Sequence, residues 1–375
     1  MPNVKSGPSQ VRSQIDGIDD EILQLLAERL KLARQVGAIK TAEAKKEGRK
    51  KPSVLALERE ETVLRRLHRL ADAKHLPWPL VQEIFSEVIS MCRAVQGTVT
   101  AHVLGPAGTH SDWAARSRFG TAAQIKYHDS IPRAIKAAEQ AAASGELDSV
   151  AIVPIENSLE GTVTSTVDAF LATSLKLVGE GYYRVRHSLL SRSKTISAVK
   201  TVYSHPMGLA QCSRWLAENL PHAKLVEVSS TAEAARHAQT GAASTAAISS
   251  PYLATGTLNA LAADIQDSLE NTTRFGILGS QIPNPSGDDK TSLVFSLPNK
   301  SGSLADAVQV FSRNKLNMTK IESRPHRGLQ WEYLFYVDID GHASDAKIVK
   351  VLKSFGEKVR YFKVLGTYPK GRPWN

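Results

Sequence analysis

The 375-residue chain contains only two cysteines, Cys92 and Cys212, which stand far apart and form no CxxC pair. Neither a disulfide framework nor a thiolate metal site is therefore indicated. The 11 histidines include no HExxH motif or other ligand pair, so we expect no metal and no other cofactor. No apolar run approaches the ~18 residues that a membrane span requires, and no secretion signal follows Met1. These absences favour a cytoplasmic protein without a membrane partner.

Acidic residues are scarce toward the C-terminus. Residues 290–375 hold 15 Lys and Arg against 7 Asp and Glu, in a chain whose net charge is +10. A basic domain can attract nucleic acid, but these cations are scattered and lack a basic block beside stacked aromatics, so we expect no nucleic-acid partner. With 42% apolar and 22% charged residues, the composition is that of a soluble globular protein with two or three domains.

The first hundred residues have a helical pattern. Apolar residues recur at a three-and-four spacing from Arg12 to Lys40, and two further helical patterns run from about Ser53 to Ala71 and from about Leu80 to Val95. The lysine-rich residues 41–51 and the proline after them are expected to interrupt the first helix. The sequence therefore predicts an all-α domain over residues 8–97.

Short β-rich runs then alternate with alanine-rich helical stretches over residues 101–280. This alternation predicts an α/β domain with a largely parallel sheet. Residues 281–290 have the composition of a linker. Beyond the linker, the order of strands and helices is βαββαβ, with the third strand beginning at Glu332 and the last strand ending near Leu365. This order predicts a ferredoxin-like domain over residues 290–368.

Three cations of the helical region have a spacing that suits an anionic ligand. Arg29 and Lys40 are eleven residues apart, close to three whole turns, so they share a helix face and could clamp one dianion. Arg12 lies 17 residues before Arg29, about 25 Å along the axis, and on another face. It can reach the same small ligand only from a second subunit, and a three-helix bundle has reason to dimerise. Ordinary surface cations are the alternative interpretation.

The same residues carry a family resemblance. The pattern Arg12, Ala27-Glu28-Arg29, Gly37-Ala38-Ile39-Lys40, Glu58-Arg59-Glu60, Cys92 and Gln96 resembles the all-helical chorismate mutases. The resemblance implies that Arg12, Arg29 and Arg59 hold the substrate carboxylates, that Lys40 and Gln96 address the ether oxygen, and that Glu60 and Cys92 also belong to the site. A [3,3] rearrangement transfers no proton, so such a site needs only to fold the substrate and to stabilise charge growing on the ether oxygen.

Four motifs follow one another in the α/β region: Gly105-Pro106-Ala107-Gly108-Thr109-His110-Ser111, Val153 to Val163, Ser204-His205-Pro206 and Asn271-Thr272-Thr273-Arg274-Phe275. In this order they resemble the motifs of the prephenate dehydratases. The resemblance implies two α/β lobes, as in periplasmic binding proteins, with a cleft between them in which prephenate becomes phenylpyruvate, water and carbon dioxide. Ala107, His110 and Met207 depart from the usual residues of these motifs.

The dehydratase resemblance also implies roles for residues of the cleft. Thr273 would face the departing ring hydroxyl, and Arg274 would be an anchor or a structural residue. Glu156 is an acid only if its pKa is raised, and an ion pair with Arg274 is equally compatible with the sequence. His205 could act as a base or hold a turn. The implied cleft residues are Thr109, Ser111, Glu156, Asn157, Ser158, Thr162, Ser204, His205, Arg274 and Phe275.

The last region contains two motifs: Ser301-Gly302-Ser303-Leu304 opens a helix, and Glu322-Ser323-Arg324-Pro325 ends a strand. Together they resemble the ACT regulatory domain of dehydratases that phenylalanine inhibits. A helix N-terminus suits the carboxylate of an amino acid, and a glutamate suits its ammonium group. The effector-binding residues implied by the resemblance are Gly302, Ser303, Leu304, Asn317, Glu322, Ser323, Arg324 and Pro325.

Taken together, the three resemblances predict a bifunctional enzyme of phenylalanine biosynthesis. Its expected partners are chorismate, prephenate, phenylalanine as an effector, and further copies of the chain in a homodimer or larger homo-oligomer. The rival hypothesis is a non-catalytic amino-acid-sensing protein with a helical dimerisation arm. The joint presence of Lys40, Gln96 and Thr273 favours an enzyme, because binding alone does not need that set.

Overall fold

The protein is described here by a computed structural model covering residues 7–48, 51–325 and 333–374. A helical domain is followed by an α/β domain and then by a C-terminal domain. Within the described ranges, none of the helices combines the length and the apolar character needed to cross a membrane.

The helical domain consists of three helices: α1 (Pro8–Lys46), α2 (Leu57–Ala73) and α3 (Trp78–Ala94). Proline occupies the first turn of α1 and α3, where its missing N–H costs nothing. The prediction that α1 ends at Lys40 is wrong, because the helix continues to Lys46. The alanines, lysines and glutamate of the extra stretch are good helix formers.

Helix α1 is exposed along most of its length. Ala33 and Ala44 are its buried residues. Large apolar side chains that alternate by four and three residues are exposed: Val11, Ile15, Ile18, Ile22, Leu25, Leu32, Val36 and Ile39. Arg29 occupies the one position of this repeat that is not apolar. A repeat of this kind is the contact seam of a coiled coil, so the single chain presents a seam on its surface.

The first lobe of the α/β domain contains a mixed sheet. Its strands are β1 (Thr100–Leu104), β2 (Gln124–His128), β3 (Ser149–Asn157), β4 (Gly161–Thr162), β5 (Lys176–Arg184) and, after the second lobe, β11 (Thr272–Gly279). Its helices are α4 (His110–Phe119), α5 (Ile131–Ala143) and α6 (Thr164–Ala172). β1 is parallel to β2 and β3, whereas β11 is antiparallel to β3 and β5.

The second lobe has its own five strands, β6 (Ser188–Ser191), β7 (Thr201–Ser204), β8 (Lys224–Glu227), β9 (Thr245–Ser249) and β10 (Asn259–Ala262), with helices α7 (Pro206–Gln211), α8 (Ser213–Asn219) and α9 (Thr231–Thr240). The strands form a separate sheet in the order β10-β6-β9-β7-β8. Both sheets are mixed, so the prediction of a largely parallel sheet is only partly right. The chain leaves the first lobe after β5 and returns as β11, which therefore runs against its neighbours.

The C-terminal domain has the predicted βαββαβ order. Its elements are β12 (Asp289–Ser296), α10 (Ser303–Arg313), β13 (Met318–Pro325), β14 (Tyr333–Asp340), α11 (Ala346–Gly356) and β15 (Tyr361–Pro369). Glu332, where the third strand was expected to begin, lies outside the described residues. One face of this sheet packs on α10 and α11, and the other shares a core with α6.

The two domains also share one continuous sheet. β15 pairs with β5 through Gly366 and Leu177. A Cβ at Gly366 would lie 1.9 Å from the Leu177 carbonyl oxygen, so only glycine allows this approach. The C-terminal domain is therefore joined to the α/β domain through backbone pairing as well as through side chains.

The chain then returns to the first two domains. Strand β16 (Arg372–Pro373) pairs with β5, and Trp374 is buried against Phe275, with ring centroids 6.3 Å apart. The Arg372 guanidinium lies 3.1 Å from a Glu61 carboxylate oxygen of α2. This tail therefore contacts both the helical and the α/β domain.

Candidate active sites

The groove between α1 and α3 brings together three of the predicted mutase residues. Arg29 Nη1 donates to Cys92 Sγ at 2.6 Å and to the Val88 carbonyl oxygen at 3.3 Å. Gln96 Nε2 donates to the Cys92 carbonyl oxygen at 2.9 Å. The helices approach closely here, since a Cβ at Gly37 would lie 3.0 Å from Gln96 Cγ. The groove thus presents a guanidinium, a thiol and a carboxamide along about two turns of α1.

Lys40 lies one helical turn beyond Gly37, and its ammonium donates to the Ser53 carbonyl oxygen at 3.1 Å. The segment that carries this carbonyl is tied to the α/β domain. Asp148 accepts from Ser53 Oγ at 2.7 Å and from the backbone N–H of Val54 at 2.9 Å. A residue just before β3 therefore fixes the loop that faces Lys40.

The remaining mutase residues lie elsewhere. Arg12 and Arg59 are exposed, and Arg12 is separated from Arg29 by the length of helix expected from the sequence. Glu60 is buried and binds Arg118 at 2.7 Å and Arg93 at 3.3 Å, which places its carboxylate between the helical and α/β domains. Burial alone would raise the pKa of Glu60, but the two guanidinium groups outweigh it and hold the pKa below its ordinary value.

In the α/β domain, Asn157 and Thr273 are partners across the β3–β11 ladder. Asn157 Oδ1 accepts from the backbone N–H groups of Leu159 and Glu160 at 2.9 and 3.1 Å, which fixes the orientation of its amide. Asn157 Nδ2 must then donate, to Thr273 Oγ1 at 3.0 Å and to Asn271 Oδ1 at 2.7 Å. Because Thr273 Oγ1 already accepts, its hydroxyl proton is available to a further acceptor.

The hydrogen-bond chain continues into the second lobe through Gln211, at the end of α7. Its Oε1 accepts from Asn271 Nδ2 at 3.1 Å and lies 2.8 Å from His187 Nε2, which must carry the proton. Its Nε2 donates to Glu160 Oε1 at 2.8 Å. Gln211, Asn271 and His187 were not among the predicted site residues. Gln211 lies at most two helical turns after the Ser204-His205-Pro206 motif, and this closeness in sequence was a sign that it could belong to the site.

Several predicted cleft residues hold backbone. Ser204 Oγ donates to the Ile248 carbonyl oxygen at 2.9 Å, and His205 Nδ1 accepts from the Met207 N–H at 3.2 Å and caps α7. Thr109 caps α4. These contacts agree with the turn-holding alternative for His205.

Two other predicted cleft residues are buried, and a third links two segments that are distant in the sequence. Ser111 is buried on α4, and Phe275 is part of the core. Ser158 Oγ donates to the Glu270 carbonyl oxygen at 3.0 Å, which ties the motif after β3 to the segment before β11.

Arg274 points to the opposite face of β11 from Thr273, as alternation along a strand requires. It is buried, with Asp338 of the C-terminal domain at 2.7 Å and Glu180 at 2.6 Å, and its Nη2 donates to Tyr368 Oη at 3.0 Å. The ion pair with Glu156, which the sequence left as one of two alternatives for that residue, is long, at 4.0 Å. Arg274 therefore anchors the strand to the C-terminal domain.

The predicted effector residues form two groups. Gly302, with φ of 86°, precedes Ser303 and Leu304 at the start of α10. On β13, Glu322 and Arg324 face the α/β domain, whereas Ser323 and Pro325 are exposed. Asn317 Nδ2 donates to Asp340 Oδ2 at 3.0 Å.

An open cavity of ≈ 380 Å³ lies where the first motif meets the second lobe. Pro106 and Ala107 form one side, and Ser229, Ser230 and Glu233 at the start of α9 form the other. Its volume is in the range of small-molecule sites. The α9 residues were not predicted, because their serines read equally well as an N-cap, and Ser230 does cap the helix.

Three family models match the chain: Chorismate mutase type II over residues 11–97, Prephenate dehydratase over residues 101–283 and ACT domain over residues 291–357. The bifunctional chorismate mutase/prephenate dehydratase of Aquifex aeolicus is 37% identical, covering 96% of this chain and 97% of that protein. The protein of the same name from Neisseria gonorrhoeae is 39% identical, covering 96% of each.

A solved structure extends the comparison. The structure of a prephenate dehydratase from Arthrobacter aurescens in complex with L-Phe is 33% identical, with a TM-score of 0.65, covering 72% of this chain and 90% of that one. The three family models match in the order of the helical, the α/β and the βαββαβ domain. The chain belongs to the family of bifunctional chorismate mutase/prephenate dehydratases, with a chorismate mutase domain, a prephenate dehydratase domain and an ACT domain.

Proposed function

We propose that the helical domain, residues 8–97, rearranges chorismate to prephenate, and that the α/β domain, residues 101–280, converts prephenate to phenylpyruvate, water and carbon dioxide. Residues 290–368 form the regulatory domain. The observation that carries the dehydratase assignment is the fixed amide of Asn157, which leaves the Thr273 hydroxyl as a donor.

In the mutase reaction, Lys40 and Gln96 donate to the ether oxygen as its bond breaks. Arg29 and Arg59 hold carboxylates, and the fold of the groove holds the substrate in its reactive conformation. Cys92 orients the Arg29 guanidinium. Cations and neutral donors are sufficient for this chemistry, since no proton is transferred.

The mutase site is completed in a homodimer or a larger homo-oligomer. Two observations support this assembly: the exposed apolar repeat on α1, and the distance along that helix between Arg12 and Arg29. In an antiparallel pairing of two α1 helices, Arg12 of one chain lies near the groove of the other. Arg12 then supplies the carboxylate contact that its own chain cannot make.

In the dehydratase reaction, Thr273 donates a hydrogen bond to the ring hydroxyl as the carbon–oxygen bond breaks, and the departing hydroxide takes a proton from solvent to leave as water. The electrons of the bond to the departing carboxylate complete the aromatic ring, and carbon dioxide leaves. Asn157 and Asn271 hold Thr273 in place, and Gln211 brings the second lobe to the same network. Thr109, Ser111 and Ser158 shape the surrounding walls.

Phenylalanine is the proposed effector of the C-terminal domain. The Arthrobacter aurescens structure is a complex with L-Phe, and the N-terminus of α10 suits the carboxylate of an amino acid. Glu322 pairs with Tyr336 on the sheet face that packs against the α/β domain, opposite α10, so another group holds the ammonium of the same molecule within one chain.

The test of both activities is an assay of the purified protein on chorismate and on prephenate. Lys40→Ala should abolish prephenate formation and preserve dehydratase turnover of supplied prephenate. Thr273→Val should do the reverse, lowering dehydratase kcat by about 10² to 10³, the cost of losing one well-placed donor. Equal losses of both activities in either variant would contradict separate sites. A wild-type protein that binds phenylalanine and turns over neither substrate would favour the non-catalytic sensor.

A further inference from the structure

The entry loop of α2, residues 53–56, lies beside both residues that the mutase proposal assigns to the ether oxygen. The Ser53 carbonyl oxygen accepts from the Lys40 ammonium at 3.1 Å. Val54 is buried, and its Cγ1 would lie 3.0 Å from a Cβ at Gly97, the residue that follows Gln96. The position of this loop therefore affects how both donors are held.

Asp148, just before β3, holds the entry loop from the α/β domain. Its Oδ1 accepts from Ser53 Oγ at 2.7 Å, from the Val54 N–H at 2.9 Å and from the Leu55 N–H at 3.1 Å. The backbone of Asp148 is itself fixed, because its carbonyl oxygen accepts from the N–H of Thr100 at the start of β1, at 3.1 Å. One carboxylate oxygen thus ties three consecutive residues of the helical domain to the sheet of the α/β domain.

The Ser53 carbonyl limits the positions that the Lys40 ammonium can take. A lysine ammonium lies at the end of a flexible four-carbon chain, so without a fixed acceptor it samples many positions. The ammonium has three N–H groups, and the carbonyl takes one of them, which leaves two for a substrate. A donor stabilises a transition state only when it is held where charge develops. An acceptor that Asp148 fixes meets this requirement for Lys40.

We propose that Asp148 is a positioning residue of the mutase reaction, supplied by the dehydratase domain. It acts through the entry loop and not on the substrate: the carboxylate orders the loop, and the loop orders Lys40 and the end of α3 beside Gln96. The α/β domain thereby contributes to the turnover of chorismate, although the two active sites are separate. This inference rests on the proposed mutase role of Lys40.

The experiment measures kcat and KM on chorismate for Asp148→Ala in the full-length protein. The alanine variant has no acceptor for the entry loop, so mutase kcat should fall at least about tenfold, the effect of a misplaced donor. The KM should stay within about twofold of the wild-type value, because Arg29 is held by Cys92 and Val88 and not by the loop.

Dehydratase turnover of supplied prephenate reports on folding in every sample. It should stay at the wild-type rate, because Asn157 lies at the far end of β3 from Asp148. Asp148→Leu has a similar volume to the wild type and no acceptor, and it replaces the alanine variant if alanine disturbs the fold.

The conservative variant is Asp148→Asn. Asparagine keeps an oxygen for the three donors of the entry loop and removes the charge, so mutase kcat should stay within about threefold of the wild-type value. This rescue separates the hydrogen bonds from a general effect of the negative charge.

Glu139→Ala is the matched control. The Glu139 carboxylate also holds a loop, since it accepts from the Ser174 N–H at 2.6 Å and from Thr173 Oγ1 at 3.1 Å. These contacts lie within the α/β domain, on the sheet face opposite the one that packs on the entry loop. Losing this carboxylate should leave the mutase kcat unchanged.

The expected combination is a low mutase kcat in Asp148→Ala, an unchanged KM and rescue by asparagine. An unchanged kcat, a higher KM alone, an equal loss in Asp148→Asn, or an equal loss in Glu139→Ala would each overturn the positioning role. A wild-type protein that forms no prephenate from chorismate, or a Lys40→Ala variant that still does, would instead overturn the proposed mutase site.

Discussion

The ion pair between Arg118 and Glu60 joins the α/β domain to the helical domain, and its contribution to stability can be measured. The Arg118 guanidinium, 4% exposed, lies 2.7 Å from Glu60, and it also stacks over Phe119 at 5.3 Å from the ring centroid. Arg118→Met keeps much of the side-chain volume and removes the charge. Glu60, 8% exposed at its side chain, then has only Arg93 at 3.3 Å as its close partner in the described part of the chain.

The magnitude follows from the burial of both groups. Removing one member of a buried ion pair costs about 3 to 5 kcal/mol, because the remaining charge is left without compensation. Arg93 compensates part of the Glu60 charge, so we expect the lower end, about 3 kcal/mol. Replacing Glu60 by Gln in the same protein removes the stranded charge and should restore much of the loss.

The assay is a double-mutant cycle on the free energy of unfolding, measured by denaturant titration of wild type, Arg118→Met, Glu60→Gln and the double variant. We expect a coupling energy of at least about 1 kcal/mol between two groups in direct contact. Additive effects of the two substitutions, or a loss below about 1 kcal/mol in Arg118→Met, would refute the reasoning.

The same pair predicts a dependence on pH. The pKa of Glu60 is lower in the folded protein than its ordinary value of 4.5, so its contribution to stability is present above that pH. It is lost as the pH falls through the lowered pKa. Arg118→Met should therefore lose less stability on acidification than the wild type does, and a parallel loss in both proteins would contradict this account.

Three further predictions concern single positions. Asn157→Asp keeps the size of the side chain but cannot donate to Thr273, so dehydratase kcat should fall at least about tenfold while the mutase rate, measured on chorismate, stays constant. Gly181→Ala places a Cβ 1.8 Å from the Trp374 ring. The overpacking should lower the free energy of unfolding by at least about 1 to 3 kcal/mol, which a lower melting temperature would show. His110 has both ring nitrogens buried without a hydrogen-bond partner among the described residues, so His110→Phe should raise the melting temperature, and a lower value would show that the imidazole has a partner in solution.

The sequence predicted helices and strands correctly where a periodic pattern of apolar residues marks them. The three-and-four spacing predicted α1, and the alternation of apolar runs predicted the strands of both later domains. The motif at residues 271–275 and the one at residues 153–163 were expected to share a cleft, and Asn157 does contact Thr273. Each of these features is set by residues close together in the chain or by a motif with a specific chemistry.

Contacts between domains were not predictable in the same way. Glu60 carries no local sign that Arg118, 58 residues later, neutralises it. Gln211 joins the dehydratase network only because the second lobe folds against the first. The direction of β11 was missed, because it depends on the chain crossing between lobes and not on the composition of the strand.

The basic character of the C-terminal domain has a structural reason that its composition did not reveal. Lys290 lies 2.7 Å from the fully buried Glu180 carboxylate, and Lys320 lies 2.7 Å from Glu156. Lys363 donates to the Phe170 carbonyl oxygen at 2.9 Å, near the C-terminus of α6. Several of the excess cations therefore neutralise groups of the preceding domain, and a charge count of one domain alone cannot show this.

The exposed repeat of α1 has a consequence for how the two activities respond to protein concentration. If the mutase site needs Arg12 from a second chain, dilution below the dissociation constant of the α1 pairing abolishes the first reaction. The hydrogen bonds that hold Thr273 lie within one chain, so the second reaction persists. The amount of enzyme that a cell makes would then set the ratio of the two activities, with scarce enzyme consuming prephenate but not producing it.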